Sequence, residues 1–406
     1  MTRRGLFGVA IAAGLAFAGP AAAADNAVPG PAAEPLTEIK VGFLGLQDDV
    51  RYYPEVAYTR IQLSPALKPV EGARLGIDDL KIVDNAVNLD VSLDEQMASD
   101  GDDALARIEA MVAAGERFVI LDLPGALVSQ LAQATRDMPV TLVNATAPQD
   151  ALRDLCLPNL MHSGASDRML ADTYTQFLRH RNWNRALVLY GEEPRDKEMA
   201  DAFAASAQRM GVTIADMRQF TLATDPANRE QNNTALITGN ADYDVVYVAD
   251  SLGEYARYLN YSTLLARPVI GSTGLTASEW AWPWDRDGAT QVTLRFQRAA
   301  EGGREMSGAD WSTWIAAKSI ATAYAKARST DPDKIDAYMK GTRFNIDGSK
   351  GYRMDFRPWD RQLRMPMVLA TADAVTEAAP FPEFLHQVNV LDTLGVDAPE
   401  SPCKPS

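Results

Sequence analysis

Short apolar runs punctuate the chain at Ile39 to Gly45, Phe118 to Leu123, Val140 to Asn144, Ala186 to Tyr190, Val245 to Ala249 and Pro268 to Gly271. Their length and β-branched content predict strands buried on both faces, as in a parallel sheet. Amphipathic patterns at Ala104 to Ala114, Ala126 to Thr135, Asp167 to His180, Lys197 to Met210 and Arg229 to Thr238 predict helices among them. The resulting rhythm is βαβαβ. Parallel strands joined by helices need both sheet faces covered, and two such sheets fit a chain of this length, so the expected fold class is α/β with two doubly wound parallel-sheet lobes. The pattern then changes. Trp311 to Arg328 predicts a long helix, Asp331 opens another with Pro332 at its start, and Gly341 to Met354 reads as extended and turn-rich. These late elements must join sheets built earlier.

The first residues differ in character. Arg3 and Arg4 precede an apolar stretch from Gly5 to Gly19, and Ala22, Ala23 and Ala24 form a small-residue cleavage site before Asp25. This predicts a signal peptide over 1–24, cleaved near Ala24, and an exported protein. The stretch is short for a membrane anchor, and the paired arginines leave Sec and twin-arginine export both open. Residues 25–36, rich in Ala and Pro, read as a linker, and 376–406, with several prolines, as a C-terminal tail.

Composition narrows the chemistry. With 47% hydrophobic and 23% charged residues, the 406-residue chain is ordinary globular material. Its 54 acidic residues against 39 basic ones, a net charge of -15, argue against nucleic acid or an anionic membrane as partner. Three histidines and two cysteines exclude a structural zinc site. In an oxidising compartment Cys156 and Cys403 can pair as a disulfide; the alternative is two independent thiols. No Gly-x-Ser-x-Gly elbow, Walker loop, His-Glu-x-x-His or Cys-x-x-Cys occurs, so no catalytic residue, metal or cofactor is implied. The acids at Asp100 to Asp103, and Asp285 and Asp287, lack calcium-loop spacing and read as solvated loops. His162 follows a strand-like segment, where α/β folds put their sites, and reads as a catalytic candidate or a polar hinge residue.

Several local patterns, in order, carry a resemblance. Ile39-Lys40-Val41-Gly42-Phe43 and Glu71-Gly72-Ala73-Arg74-Leu75-Gly76-Ile77-Asp78-Asp79 resemble the first strand and helix of the leucine/isoleucine/valine-binding branch of type I periplasmic substrate-binding proteins of ABC transporters. Ala145-Thr146-Ala147-Pro148 resembles that family's loop after the fourth strand. Asp244-Val245-Val246-Tyr247 with Gly253-Glu254 resembles a lobe-two strand and helix, and Ile270-Gly271-Ser272-Thr273 the returning hinge. Asp331-Pro332-Asp333-Lys334-Ile335 and Gly351-Tyr352-Arg353-Met354-Asp355-Phe356 resemble its closing helix and final strand. The chain is also similar to a group found with PQQ-dependent alcohol dehydrogenase systems. The resemblance implies a periplasmic protein with a three-crossover hinge between lobe one (37–157 and 274–345) and lobe two (158–273 and 346–375). It further implies a small-molecule solute in the cleft and an inner-membrane ABC permease as partner. A degenerate cleft on an accessory or sensor protein docking on a dehydrogenase is the alternative.

Departures from the family pattern shape the expected site. The first lobe-one loop, Leu123-Pro124-Gly125-Ala126, lacks the family's hydroxyls, while the second keeps Thr146 with Asn144 nearby. Thr273 stands where the family has an ammonium-binding Glu, which disfavours an ordinary amino acid, because a buried ammonium without a counter-charge is costly. Arg195 replaces a tyrosine at a lobe-two helix start, and Ser251, beside Asp250, replaces an aromatic. Arg195 in the crevice would select an acid without an amine; the other reading pairs it with Glu192 or Glu193 on the surface. Ser163 adds a crevice hydroxyl. A loop insertion, 49–64, carries Arg51, Tyr52, Tyr53 and Tyr58 and could cap the crevice, and Trp280, with Trp282 and Trp284, could stack on a planar ligand or pack in lobe one.

Overall fold

The computed structural model describes residues 37–52, 67–84, 89–222, 233–327, 329 and 331–403. The signal peptide, the linker, Tyr53, Tyr58 and the first four residues of the helix expected from Arg229 lie outside the described residues.

Five parallel strands form the first sheet: β1 (Thr37–Leu46), β2 (Leu89–Ala98), β3 (Phe118–Asp122), β4 (Thr141–Asn144) and β5 (Leu160–His162), in the order β2-β1-β3-β4-β5. Every residue of β3 and β4 is buried, so both read as continuous apolar runs. Strand β2 escaped the apolar pattern because it is an edge strand, alternating buried and exposed residues near its start. Helices α1 (Val70–Asp84), α2 (Gly101–Ala113) and α3 (Gly125–Ala134) connect these strands. The acidic stretch at Asp100 starts α2, where the Asp100 side chain accepts the Asp103 N–H as an N-cap.

A second sheet, in the order β7-β6-β8-β9, contains β6 (Arg185–Tyr190), β7 (Thr213–Gln219), β8 (Val245–Ala249) and β9 (Val269–Gly271). All its pairings are parallel. Helices α4 (Asp167–His180), α5 (Pro194–Met210) and the short α6 (Thr234–Ile237) belong to this half. Ser166 caps α4 by accepting the Met169 N–H, which ends the preceding extended segment where the sequence pattern put the helix start.

The chain then runs through β10 (Thr276–Ser278), α7 (Ala289–Ala299), α8 (Gly308–Ala327), α9 (Pro332–Met339), a hairpin of β11 (Ile346–Asp347) and β12 (Arg353–Met354), and finally β13 (Met367–Ala370) and β14 (Val375–Ala379). Helix α8 returns to the first half and packs along α1. The contact requires glycine: a Cβ at Gly72 would strike the Asp310 carbonyl, and one at Gly76 the Trp314 carbonyl. Strands β10, β13 and β14 make an antiparallel sheet packed on α4, an element the parallel-strand reading did not contain.

Segments after β5, after β10 and between β12 and β13 pass between the halves, which makes the architecture two doubly wound lobes joined by three crossovers. They are tied to one another. His162 bridges to Gln362, and the Gln362 side chain donates to the Gly164 carbonyl at 2.9 Å. The Glu279 carboxylate accepts the Ala165 N–H at 2.9 Å. Lys350, buried 3.7 Å from the Trp311 ring centroid, donates to the carbonyls of Glu279 (2.9 Å) and Pro366 (2.7 Å). Burial holds this ammonium well below the usual lysine range.

Residues 376–403 of the segment read as a tail are packed, which corrects that reading for the described part. Leu391 and Leu394 are buried, and Asp392 accepts from Arg357 Nε (3.1 Å) and Arg364 Nε (2.7 Å). Cys403 is joined to Cys156 as a disulfide across 247 residues of sequence. The segment buries isolated side chains on irregular turns, so it carries no period that a pattern search would find.

Candidate functional site

Ligands of doubly wound sheets bind beyond the carboxyl ends of the strands. On lobe one, the ends of β1, β3 and β4 bring Asp49, Arg51, Tyr52, Asp122 and Thr146 together. Arg51 donates through Nε to both Asp49 oxygens at 3.0 Å and through Nη2 to Asp49 Oδ2 at 2.6 Å. It also reaches Asp122 Oδ1 through Nη2 and Thr146 Oγ1 through Nη1, each at 3.1 Å. The Thr146 hydroxyl donates to the same Asp122 oxygen at 2.8 Å, and Tyr52 OH at 2.5 Å. Burial raises the Asp122 carboxyl above the ordinary carboxylate range, opposed by the Arg51 charge and by the Tyr52 and Thr146 hydroxyls. Burial and the Asp122 charge push Tyr52 up, so it remains a hydrogen-bond donor.

Beside this cluster lies the N-terminus of α3, formed by the first loop. The Gln149 amide covers it so closely that a Cβ at Gly125 would run into the Gln149 side chain. Gln149 Nε2 also reaches Glu198 Oε2 of α5, on the other lobe, at 3.5 Å.

Lobe two presents the N-termini of α4 and α5. Arg195 holds both carboxylate oxygens of Asp167, and it donates to Glu198 at 3.1 Å. Its partners are therefore neither Glu192 nor Glu193, and the cation expected to select an acidic ligand is already neutralised.

Other expected contacts are scaffolding. Asn144 is buried; its Nδ2 contacts the Ala147 carbonyl (2.8 Å) and His162 Nδ1 (3.1 Å), and its Oδ1 accepts the Ala147 N–H, so it shapes the loop that carries Thr146. Ser163 is fully buried, with Oγ 3.5 Å from the Asn144 carbonyl. Asp250 accepts N–H groups of Gly253, Tyr255 and Ala256, which closes the turn after β8. The Ser251 N–H donates to Asp196 at 2.5 Å while its side chain is exposed, and Thr273 Oγ1 accepts from Asn260 at 2.9 Å. Trp280 is buried and stacked on Trp311, with centroids 6.5 Å apart, so it is core and not a ligand wall. Burial holds His162 neutral, well below the ordinary range, and the Gln362 bridge makes it a hinge residue and not a catalytic one.

Of the expected contacts, Tyr52 and Thr146 meet in one cluster; Asp122 and Gln149 were missed. The signal for Asp122 was present, as a lone acid ending the apolar run from Phe118. Among the described residues no group of three metal-ligating side chains occurs, and no helix is long and apolar enough to cross a membrane.

The sequence profile described as periplasmic binding protein matches residues 66–377. The chain belongs to the periplasmic binding protein family. Membership makes the chain a binding protein and not an enzyme. Its fold is similar to that of a branched chain amino acid ABC transporter periplasmic ligand-binding protein from Burkholderia xenovorans LB400, with TM-score 0.71 and 14% identity over 90% of this chain and 99% of that one. It is also similar to a solute binding protein of an ABC transporter from Rhodopseudomonas palustris BisB5 in complex with 3,4-dihydroxy benzoic acid (TM-score 0.62, 13% identity, 82% and 93% covered). A solute binding protein from R. palustris in complex with benzoate gives TM-score 0.62 and 11% identity, with 90% and 99% covered. At these identities the likeness is one of fold. No curated protein matches this periplasmic binding protein in sequence.

Proposed function

We propose that this periplasmic binding protein captures a small organic solute in the crevice between its two lobes, and that closure about the three crossovers presents it to a membrane permease. The observation that carries the reading is the Arg51, Tyr52, Asp122 and Thr146 cluster. It sits at the carboxyl ends of β1, β3 and β4, where ligands of such sheets bind, and Gln149 beside it reaches across to α5. Export with cleavage near Ala24 completes the proposal. The test is isothermal titration of the purified mature protein with small organic acids, alcohols and amines, the acids chosen because two structures of similar fold hold benzoate and 3,4-dihydroxy benzoic acid. A Kd of about micromolar or tighter, roughly −8 kcal/mol, supports the reading.

A second reading is an accessory or sensor role, with the crevice filled by the protein's own side chains. It is favoured by the Gln149 amide over the α3 N-terminus and by the saturation of Arg195. Absence of binding across the whole panel, together with no small molecule retained in native mass spectrometry, would move the protein to that role.

A further inference from the structure

Resting on the solute-binding reading, we infer that the crevice is built for a head group that donates hydrogen bonds and carries no negative charge, and that Asp122 stands where a solute carboxylate would otherwise sit. Carboxylate recognition needs donors, and the donors of the lobe-one cluster converge on the protein's own acid. The Thr146 hydroxyl, the Tyr52 hydroxyl and an Arg51 N–H all end on Asp122 Oδ1. Each bond described for Asp122 falls on that one oxygen, so Oδ2 is the group the cluster offers, and it is an acceptor.

Charge points the same way. Arg51 faces two carboxylates, Asp49 and Asp122, and Arg195 faces two more, Asp167 and Glu198. Lys68, which reaches the end of β1, donates its ammonium to the Leu46 and Gln47 carbonyls. Asp196, on the first turn of α5, adds a further acid beside Ser251. A solute carboxylate entering here would meet like charge at both poles in a site of low dielectric, whereas a hydroxyl or an ammonium would find an acceptor with no donor of its own. The other place for a donor on lobe one, the α3 N-terminus, is covered by Gln149.

The test uses probes matched in shape: benzoate, benzyl alcohol and benzylamine, with butanoate, 1-butanol and butylamine as an aliphatic set, titrated by calorimetry into the full mature protein at pH 7. The expected result is binding of the alcohol or the amine at least tenfold tighter than of the carboxylate of the same set. In Asp122→Asn, which keeps an acceptor oxygen for Arg51, Tyr52 and Thr146 while removing the charge, the carboxylate should gain at least tenfold and the amine should lose. A carboxylate bound as tightly as its alcohol and amine by the native protein overturns the inference and leaves the solute-binding reading standing. Selectivity unchanged by Asp122→Asn removes Asp122 from the head-group site. Failure of all six probes, in the native protein and the variant alike, together with no small molecule retained in native mass spectrometry, overturns both.

Discussion

Arg51 and Asp122 are 71 residues apart in sequence, yet Arg51 Nη2 lies 3.1 Å from Asp122 Oδ1, with both Asp122 and Asp49 almost wholly buried around the guanidinium. A loop inserted after the first strand thus supplies the counter-charge for an acid at the end of β3. Removing one partner of such a pair leaves a charge in a poorly solvated place, which costs more than the pair contributes.

Arg51→Ala should therefore destabilise the protein by about 2 kcal/mol, below the cost of breaking a fully buried pair because the guanidinium is partly exposed. Thr146→Ala should cost about 1 kcal/mol, the usual value of one hydrogen bond. Urea unfolding of both variants checks the order; a Thr146→Ala cost equal to or above that of Arg51→Ala would refute it.

Asp392 anchors the last segment by accepting from two arginines, Arg357 and Arg364, and all three side chains are largely buried. Asp392→Ala leaves two guanidinium groups without their shared acid. A loss of about 3 to 5 kcal/mol is expected, together with earlier proteolysis within 380–403. A thermal melt and limited proteolysis of the variant measure both.

The Cys156–Cys403 disulfide closes a loop of 247 residues and pins the C-terminal segment to the turn after β4. A double serine variant should lose about 2 to 4 kcal/mol, mostly through a freer unfolded chain. Adding reductant to the native protein should reproduce the shift in melting temperature, and should leave the double variant unchanged.

Glu116 lies against Gly42 of β1 and is pushed up to about 7 by burial, with a hydrogen bond to Asp94 and the Asp94 charge adding to the rise. The folded protein therefore holds a proton that the unfolded chain releases above its ordinary carboxyl range. Stability should fall as pH rises from about 4.5 through 7. Glu116→Gln keeps a donor to Asp94 without the charge, so it should raise the melting temperature at pH 8 and leave it nearly unchanged at pH 4. Equal shifts at the two pH values would contradict this assignment.

The sequence by itself determined the layered α/β class, because strands buried on both faces must be continuously apolar, as Phe118–Asp122 and Val245–Ala249 are. It also determined helix starts where a local cap writes them, as Ser166 does for α4. The half-exposed strands, β2 and β7, were not legible, since an edge strand needs only part of its surface apolar. Nor was the antiparallel sheet of β10, β13 and β14, whose partners are distant in sequence. In the site, a polar residue's type announced a contact but not its partner. Arg195, Asp250 and Asn144 were plausible ligand contacts until the fold surrounded them with Asp167, with three backbone N–H groups and with the Ala147 turn. Only the tertiary structure decided which groups were already satisfied, because a hydrogen bond is made by position in space, and Arg51 meets Asp122 only after two strands have been laid side by side in the sheet.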